Sequence, residues 1–520
     1  NLTKLNMRPI SLYPDIVIPK VPLGRLVIDA IKVHGDRVAW IDVSNSGEKY
    51  SFNRIRKAAL KCANALYKEG IKRNDIVGVL CPNSCQQKIL VLALALCGCT
   101  IVPVNNLYSK DEVERQMQIV EPKILFTSSD QINKLECCSP NVKVYIFGPN
   151  EKENVFLKFL EVGEEEGVHL DGEIDIMNDD LFLLCSSGTT GPPKLIQHTN
   201  HSMVAGTQIT RRGAGSASYT SAPMFHVVSI VTMCSHLMQG STLVLPHKNT
   251  LVELLELTQQ YKVTHAFMFT PKLFEIMKFD ELNKYDVSTL QEISIGGSPS
   301  TFEIKNLVKK KLDVVSVLDG YGLTEGMGIA CTDVVISKPG SVGFVVPNVS
   351  LKIMDIEARK ELGANKCGEI MVQSVQTAKG YYKNPEATKN MFEDGWLKTG
   401  DMGYYDEDGN LYITDRIKDV IKVNAVQVSP TELESVLMKH PKVSEVGVIG
   451  VPDTVGFAGE VPKAFIVKKD QELLEHEVHE FIKDKLADYK QLRGGVVFID
   501  ALPRSGSGKI LKRDLLQMHQ

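Results

Sequence analysis

Hydrophobic positions in the first quarter of the chain alternate between helical spacing and short continuous runs. One set recurs every three or four residues and ends before Gly70, which predicts a helix: Ile55, Ala59, Cys62 and Leu66. The same reasoning predicts strands over 76–80, 100–104 and 124–127, with helices over 89–96 and 111–118 between them. This alternation is typical of an α/β domain with a largely parallel sheet covered on both faces.

The chain has further hydrophobic segments that bear on domain number and on membranes. Near its end, Val478, Phe481, Ile482 and Leu486 form one apolar stripe, which predicts an amphipathic helix packed on a small sheet. The longest apolar stretch, 89–104, contains Pro103 and is too short to span a bilayer, so no transmembrane segment is expected. At 520 residues the chain is too long for one ordinary core, and two or more domains are expected.

Composition excludes several classes of function. Hydrophobic residues make up 43% and charged residues 23%, as in ordinary globular proteins, and a net charge of -4 gives no support for nucleic-acid binding. The 11 cysteines lack the paired spacing of a zinc site, so reduced thiols are expected. No feature implies a protein partner.

A polar loop follows the apolar run 181–185 and indicates nucleotide chemistry. Its glycines allow backbone amides to converge on an anion, its hydroxyls can donate to phosphate oxygens, and its lysine adds a positive charge. The candidate phosphate-binding residues are Ser186, Ser187, Gly188, Thr189, Thr190, Gly191 and Lys194. A hydroxyl-rich surface linker is the alternative. The spacing differs from that of a P-loop, and the run Gly506-Ser507-Gly508-Lys509 lacks the hydroxyl that follows a P-loop lysine, so a P-loop kinase is excluded.

Several further motifs follow this loop in order along nearly the whole chain. They are Gly296-Gly297-Ser298-Pro299, Gly320-Tyr321-Gly322-Leu323-Thr324-Glu325, Gly380-Tyr381-Tyr382, Thr399-Gly400-Asp401, Asp415-Arg416-Ile417-Lys418 and Gly508-Lys509-Ile510. With these motifs the chain resembles the adenylate-forming superfamily of acyl- and aryl-CoA ligases, beetle luciferases and adenylation domains. Residues 223–226 and 492–498 are most similar to the branch of insect luciferases, fatty acyl-CoA synthetases and coumarate-CoA ligases.

The resemblance implies an α/β fold with two domains. A large domain of α/β layers with a β-barrel-like subdomain would cover 1–416, and a small mobile α+β domain would cover 417–520, with a hinge near Lys418. The active site would lie between the two domains. Without the resemblance, a short polar linker would be the better interpretation of Lys418.

The resemblance also implies a reaction and its cofactors. A carboxylate would attack the α-phosphate of ATP, giving an acyl-adenylate and pyrophosphate, and CoA would then take the acyl group. Thr324 would donate to the α-phosphate, Glu325 would bind Mg²⁺, and Lys509 would bridge the α-phosphate and the substrate carboxylate. The remaining nucleotide contacts would come from Gly297, Ser298, Pro299, Asp319, Gly320, Tyr321, Gly322, Leu323, Asp401 and Arg416.

A second group of residues would surround the carboxylic acid. His226 would lie near the carboxylate, although a lone histidine among apolar neighbours is commonly a core residue. The other expected pocket residues are Val227, Val228, Ile295, Gly296, Gly320, Gly328 and Ile329. This set is mostly aliphatic and contains no charged side chain, so an apolar acid is expected, with fatty acids the best fit and aryl propenoates the alternative.

Transfer to CoA would use another face of the small domain. After adenylation, Lys422, Ala425 and Gln427 would replace Lys509 and form the pantetheine channel, so Lys422 is a catalytic candidate for this step. The family usually has glycine at the position of Ala425. The added methyl group is expected to slow thiol entry without affecting adenylation.

Two other functions remain as alternatives. A luciferase would adenylate a small-acid luciferin and oxidise it with O₂, but Gly328 and Ile329 stand where beetle luciferases commonly have serine and alanine. A non-catalytic binder is disfavoured because Thr324, Glu325 and Lys509 are all present. An intracellular protein is expected, peroxisomal or cytoplasmic, although the terminal residues 518–520 are not the Ser-Lys-Leu address.

Overall fold

The computed structural model of the chain covers most of the sequence. It describes residue 9 and residues 11–135, 142–148, 154–165, 173–185, 194–209, 215–298, 300–423, 426–453, 459–483, 485–505 and 508–519. Within these ranges no helix is long and apolar enough to cross a membrane. No disulfide bond joins the cysteines of the same ranges.

The first 185 residues contain the elements that the hydrophobic pattern predicts. The helices are α1 (Leu23–Ala30), α2 (Phe52–Lys68), α3 (Cys85–Leu96), α4 (Lys110–Val120) and α5 (Val155–Val162). The strands are β1 (Val38–Asp42), β2 (Glu48–Ser51), β3 (Ile76–Leu80), β4 (Thr100–Pro103), β5 (Ile124–Thr127), β6 (Lys143–Ile146) and β7 (Asp180–Cys185). Helix α2 begins where the Ser51 hydroxyl accepts from the Arg54 amide, and it ends just before Gly70, whose φ of 85° suits glycine. The predicted helix and strand positions are therefore confirmed.

The chain then continues through a second α/β region into a β-rich region. The helices are α6 (Asn200–Ile209), α7 (Val227–Gln239), α8 (Leu251–Tyr261), α9 (Pro271–Lys278), α10 (Phe302–Leu312) and α11 (Pro385–Met391). The strands that follow β7 are β8 (Leu195–Thr199), β9 (Ala217–Thr220), β10 (Thr242–Leu245), β11 (His265–Phe269), β12 (Glu292–Gly296), β13 (Ser316–Leu323), β14 (Met327–Cys331) and β15 (Phe344–Val345). The later strands are β16 (Val349–Met354), β17 (Glu361–Leu362), β18 (Gly368–Ser374), β19 (Gly380–Tyr381), β20 (Phe392–Glu393), β21 (Trp396–Tyr405) and β22 (Leu411–Arg416).

These strands form three sheets in the described part of the large region. One has the order β19-β8-β7-β4-β3-β5-β6 and is parallel from β7 to β6, as predicted. The second has the order β15-β14-β13-β12-β11-β9-β10-β1-β2 and is parallel from β13 to β1. The third, β17-β16-β18-β21-β20 with β22 beside β21, is antiparallel and forms the β-rich subdomain.

The largest hydrophobic core lies among the helices that cover the two parallel sheets. Helix α3 is buried along its whole length, which explains its nearly uniform apolar sequence. The four residues that predicted α2 are fully buried in the same core: Ile55, Ala59, Cys62 and Leu66. Periodicity therefore identified the correct buried face of α2.

The small C-terminal region has a core of its own. Its strands are β23 (Ile421–Val423), β24 (Val426–Val428), β25 (Val443–Pro452), β26 (Glu460–Lys468) and β27 (Val496–Phe498), and its helices are α12 (Pro430–Leu437), α13 (Glu475–Lys483) and α14 (Lys512–His519). Val478 and Ile482 of α13 are buried against the sheet, as the apolar stripe predicted. Leu486 packs on this core but lies after α13, so the predicted helix is shorter than expected at its end. A short 3₁₀ turn, Ile417–Asp419, joins β22 to this region.

Candidate active site

A cavity of about 880 Å³ lies beside the carboxyl ends of strands β11, β12 and β13. Phe269, Gly297 and Leu323, at or just beyond these strand ends, line it. Helix α7 lines the opposite side, and Lys509 of the small region closes the cavity. Ligands of open α/β sheets characteristically bind at this edge, so the fold and the cavity point to the same site.

The turn from β13 to β14 places Thr324 and Glu325 at the cavity wall. The ring Nε2–H of His198 donates to the Thr324 carbonyl over 2.7 Å, and burial lowers the His198 pKa to about 4, so the ring is neutral near pH 7. The Tyr381 hydroxyl donates to Glu325 Oε1 over 2.9 Å. These two contacts hold the Thr-Glu pair from strands β8 and β19.

Asp401 lies beside the same cavity in a set of fixed polar contacts. Its Oδ2 accepts from the Tyr321 hydroxyl over 2.9 Å, and its Oδ1 lies 3.0 Å from Arg416 Nε. The Asp401 amide donates to the Thr399 hydroxyl over 3.1 Å. The Asp401 carboxylate is buried, but its partners Arg416 and Tyr321 both line the cavity. These three side chains therefore form a polar wall to which a ligand could bind.

Asp319 of β13 lines the cavity beside the strand β12 that leads to Gly297. Its carboxylate accepts from the Ser300 hydroxyl over 2.9 Å and forms an ion pair with Lys305. Ser298, from the same motif, is not among the described residues that line the cavity, and its carbonyl accepts from Thr270. Gly297 and Asp319 therefore line the same cavity, whereas the Ser298 backbone contributes to the wall behind it.

Besides Lys194, the cavity is lined by three cationic side chains that repel one another: Arg416, Lys418 and Lys509. Burial, followed by the charge of Arg416, lowers the Lys509 pKa to about 8 and also lowers the Lys418 pKa. Clustered cations in a partly closed cavity repel one another, and an anion between them relieves that repulsion. The arrangement is suited to a phosphate or carboxylate ligand.

We expect the pH profile of adenylation to report the depressed pKa of Lys509. Because this pKa is lowered, the ammonium loses its proton above about pH 8, and kcat/KM should fall as pH rises through that value. The Lys509→Arg variant keeps its charge at these pH values, so its weaker activity should lack the alkaline decline. Initial rates of pyrophosphate release between pH 6 and pH 10 measure this. An unchanged decline in the arginine variant would contradict it.

Gly508 explains how Lys509 reaches the large region. Its φ is 78°, and a Cβ atom built on it would lie 2.2 Å from Pro271 Cγ of α9. A second contact nearby joins the two regions, with Lys278 Nζ donating to the Ser444 hydroxyl over 3.0 Å. Glycine is therefore required for the small region to dock in this position.

We predict that Gly508→Ala lowers the rate of adenylation about tenfold or more, because the added methyl group forces Lys509 away from the cavity. Transfer of a preformed adenylate to CoA should be less affected, because the movement expected before that step would withdraw Gly508 from Pro271. The matched control is Gly409→Ala, since Gly409 also has a positive φ but lies far along the chain on the β21–β22 turn. Equal losses in both steps for Gly508→Ala would contradict the prediction.

The predicted acid-binding residues line the other end of the cavity. His226, Val227 and Val228 at the start of α7 lie across from Ile295 and Gly296 of β12. Burial lowers the His226 pKa to about 4, and its Nδ1 has no hydrogen-bond partner among the described residues. The neutral ring therefore retains hydrogen-bonding capacity for a ligand.

One predicted pocket residue is misplaced, and the character of the pocket differs from the expectation. Gly328 and Ala330 line the cavity, but Ile329 points to the opposite face of β14 and is fully buried in the neighbouring core, because side chains alternate along a strand. The cavity is also not free of charged side chains, since Glu292 lines it together with His265. Glu292 and His265 lie between the recognised motifs in the sequence, so the motifs did not predict these polar side chains in the cavity wall.

Several predicted residues lie outside the described part of the chain. These are Ser186, Ser187, Gly188, Thr189, Thr190, Gly191, Pro299 and Ala425, together with the side chain of Gln427. Lys194, the last residue of the candidate phosphate-binding loop, lines the cavity with its Nζ 5.0 Å from the centre of the Tyr381 ring. Lys422 is exposed on β23, its amide donates to Glu460, and it is not among the described lining residues.

Sequence reasoning missed two residues that fix the site. His198 lies four residues after Lys194 on strand β8, so its proximity in sequence to the candidate phosphate-binding loop was an available signal. Tyr381 belongs to the quoted Gly-Tyr-Tyr motif, but that motif alone does not show that its hydroxyl reaches Glu325. Both roles depend on strand pairing between distant segments.

Comparison with known proteins identifies the family. The AMP-binding enzyme pattern matches residues 28–382, and the AMP-binding enzyme C-terminal domain matches residues 432–509. The chain is 32% identical to 4-coumarate–CoA ligase 3 of Arabidopsis thaliana over 97% of this chain and 93% of that ligase. It is 34% identical to luciferin 4-monooxygenase of Nipponoluciola cruciata, over 89% and 88% of the two chains.

Solved structures agree with this result at the level of the fold. ATP-bound MatB from Rhodopseudomonas palustris superimposes with a TM-score of 0.86 at 24% identity, covering 95% of this chain and 99% of that one. The fold is thus a mixed α/β fold with a large N-terminal domain and a small C-terminal domain. The chain belongs to the AMP-binding enzyme family. This is an adenylate-forming family, and the relatives of this chain within it include a CoA ligase.

Proposed function

We propose that the protein activates a carboxylic acid with ATP, releasing pyrophosphate, and transfers the resulting acyl group to CoA. The observation that supports this most strongly is the position of Lys509. It comes from the small domain, yet it lines one cavity with Thr324, Glu325 and Arg416 of the large domain. Adenylation requires such a cation between two negatively charged reactants, the carboxylate and the α-phosphate.

In this proposal the polar end of the cavity binds the triphosphate. Lys194 and the loop residues Ser186 to Gly191 contact the β- and γ-phosphates, while Thr324 donates to the α-phosphate. The described residues contain no cluster of three or more histidine, cysteine or acidic side chains suited to a metal ion. Mg²⁺ commonly binds to one carboxylate and to substrate phosphates, and in this proposal Glu325 would supply that carboxylate. The bound ion would neutralise charge on the phosphates.

The nucleoside would lie between the Gly297 and Tyr321 segments. Asp401 accepts from both ribose hydroxyls, and Tyr321, held by its hydroxyl against Asp401, presents its ring to adenine. Asp319 and Gly297 border the adenine on the sheet side. The ion pair with Lys305 keeps the Asp319 carboxylate in place.

The acid would enter along helix α7 with its carboxylate between His226 and Lys509. His226 is neutral at pH 7, so it can hydrogen-bond to the carboxylate without competing for its charge. Lys509 pulls the carboxylate and the α-phosphate together and offsets the charge that builds up at phosphorus during attack. Lys509, Thr324 and His226 are thus the proposed catalytic residues of the first step.

The second step would require the small domain to move. We place the domain boundary between residues 416 and 417, with the hinge at Lys418 in the 3₁₀ turn. Rotation there would withdraw Lys509 and bring Lys422 to the cavity, so that residues 422–427 form the CoA channel. The exposed position of Lys422 in this structure agrees with a role only after rotation.

A luciferase is the second candidate function. It is favoured by the 34% identity to luciferin 4-monooxygenase, and it would share the adenylation step before oxidation by O₂. Light emission distinguishes the two, since both functions use the same residues for adenylation.

The test is incubation of the protein with Mg-ATP and a panel of fatty and aromatic acids, with and without CoA, while photons are counted. We expect acid-dependent pyrophosphate release in either case and an acyl-CoA product, identified by mass spectrometry, when CoA is present. Adenylate that accumulates despite CoA would reject the ligase. Light from one acid would favour the luciferase, and no pyrophosphate with any acid would reject both.

A further inference from the structure

A side chain that follows strand β3 holds the turn that leads to His226, although the two come from different sheets. Asn83 lies between β3 and α3, whereas His226 lies between β9 of the second sheet and α7. Asn83 Nδ2 donates to the Ala222 carbonyl over 3.1 Å, and Asn83 Oδ1 accepts from the Met224 amide over 2.9 Å. One amide side chain thus fastens the backbone on both sides of Pro223.

The fastened segment is short and continues directly into helix α7. The His226 amide donates to the Pro223 carbonyl over 2.9 Å, which closes a turn, and the Ser229 amide donates to the His226 carbonyl over 2.9 Å at the start of the helix. Only one residue separates His226 from Met224, which Asn83 holds. A displacement of this turn would therefore displace the His226 ring.

The His226 ring depends on this backbone for its orientation. A histidine that contacts a ligand is commonly oriented by a hydrogen bond to its other ring nitrogen. His226 Nδ1 has no hydrogen-bond partner among the described residues, and the centre of the ring lies 5.4 Å from that of the Phe269 ring. With no hydrogen bond to Nδ1, the direction of the ring is set by the backbone that carries it and by the contact with Phe269.

Helix α3, which follows Asn83, holds the same turn through the side chain of Met224. Met224 is buried, and its sulfur lies 2.9 Å from Lys88 Nζ and 3.4 Å from the Ser229 hydroxyl. Lys88 belongs to α3 and is fully buried. The turn is thus attached to the β3–α3 segment at three points, two through its backbone and one through a side chain.

We propose that Asn83 is a positioning residue for the acid, because through the turn 222–226 it holds the His226 ring where that ring meets the substrate carboxylate. The inference rests on the proposed function, in which His226 hydrogen-bonds to the carboxylate. Asn83 is not among the described residues that line the cavity, so it acts through His226 and not by contact with the ligand. A misplacement of about 1 Å caused by a remote substitution can cost about 100-fold in rate, so the loss of two hydrogen bonds at this turn should be measurable.

The experiment removes the two hydrogen bonds and follows the two substrates separately, with the best acid of the fatty and aromatic panel. In Asn83→Ala we expect kcat/KM for the acid, measured by pyrophosphate release, to fall about tenfold or more. KM for ATP should stay within about twofold of the wild-type value, because the proposed nucleotide contacts lie on other segments. Asn105→Ala is the matched control, since Asn105 Oδ1 accepts from the Leu107 amide over 2.9 Å in the β4–α4 loop of the same sheet as β3. It should change neither value.

A double-mutant cycle tests whether Asn83 acts through His226. His226→Ala should itself lower kcat/KM for the acid, and adding Asn83→Ala to it should cost less than about twofold more, because the side chain that Asn83 positions is gone. Asn83→Asp has nearly the same size and keeps the acceptor for the Met224 amide, but it has no donor for Ala222, so it should show the same selective loss. Thermal unfolding of each variant is measured alongside.

The outcomes separate the role of Asn83 from the proposed function. An unchanged kcat/KM for the acid in folded Asn83→Ala, equal losses for acid and ATP, or the same loss with and without His226 would overturn this role while acid activation stands. Failure of both Asn83 variants to fold would overturn it as well, because Asn83 would then serve the fold. If the wild-type protein releases no pyrophosphate with any acid, the proposed function itself fails. A loss that is selective for the acid and disappears in the His226→Ala background establishes Asn83 as a positioning residue.

Discussion

Replacing Lys509 with alanine is expected to reduce acid-dependent pyrophosphate release by about 100-fold to 1,000-fold, the usual loss when a group that stabilises transition-state charge is removed. The reason is geometric, since Lys509 shares the cavity with Thr324 and Glu325 although it belongs to the other domain. Folding should survive the change. The Lys509 ammonium lies near the positive charges of Arg416 and Lys418, so removing it relieves repulsion between cations and does not break an ion pair.

The controls for Lys509→Ala use the two steps of the proposed reaction. Arg513→Ala removes an exposed cation from the same domain and should leave both steps unchanged. A preformed acyl-adenylate supplied to Lys509→Ala should still be transferred to CoA, because Lys509 would have left the cavity before that step. Full adenylating activity in Lys509→Ala would remove this residue from the mechanism, and equal loss of both steps would refute the exchange of Lys509 for Lys422.

Contiguous motifs made the proximity of the proposed nucleotide-binding residues predictable from the sequence. Thr324 and Glu325 are adjacent in the chain and remain adjacent at the cavity, so no knowledge of sheet order was needed to group them. Helix α2 and strand β3 were predictable for a related reason, because their burial pattern is local. Residues that are close in sequence are also close in space, whatever the order of the strands in the sheet.

The acid end was less predictable because its walls come from separate strands. His265 and Glu292 are 27 positions apart and meet only through the parallel register of β11 and β12. Ile329 was misassigned for the complementary reason, since one residue along a strand reverses the face that a side chain occupies. Register and facing are properties of the assembled sheet, so a motif match does not determine them.

The hydrogen bonds that fix catalytic candidates also arise from assembly. His198 holds Thr324 across 126 positions of sequence, and Tyr381 holds Glu325 across 56. Both come from β8 and β19, which pair at the edge of a different sheet from the one that carries Thr324. The candidate site thus lies where the two parallel sheets and the antiparallel subdomain approach one another. Rigid elements on several sides suit the proposed orientation of two anions at this site.

Asp401 should determine how tightly ATP binds. In Asp401→Ala we expect kcat/KM for ATP to fall about 100-fold, because the ribose would lose a charged acceptor for two hydroxyls and Arg416 would lose its partner at 3.0 Å. Asp408→Ala, which removes an exposed carboxylate from the adjoining turn, is the matched control and should have no effect. Initial rates of pyrophosphate release at varied ATP measure both.

Deoxynucleotides show whether this loss comes from the ribose or from a disturbed Arg416. With wild-type protein, 2′-deoxy-ATP and 3′-deoxy-ATP should each be about tenfold poorer than ATP, since each lacks one donor to the Asp401 carboxylate. With Asp401→Ala the three nucleotides should become nearly equivalent, because the acceptor is gone for all of them. If the variant still discriminates against the deoxynucleotides as strongly as the wild type, Asp401 acts through Tyr321 and Arg416 and does not contact the ribose.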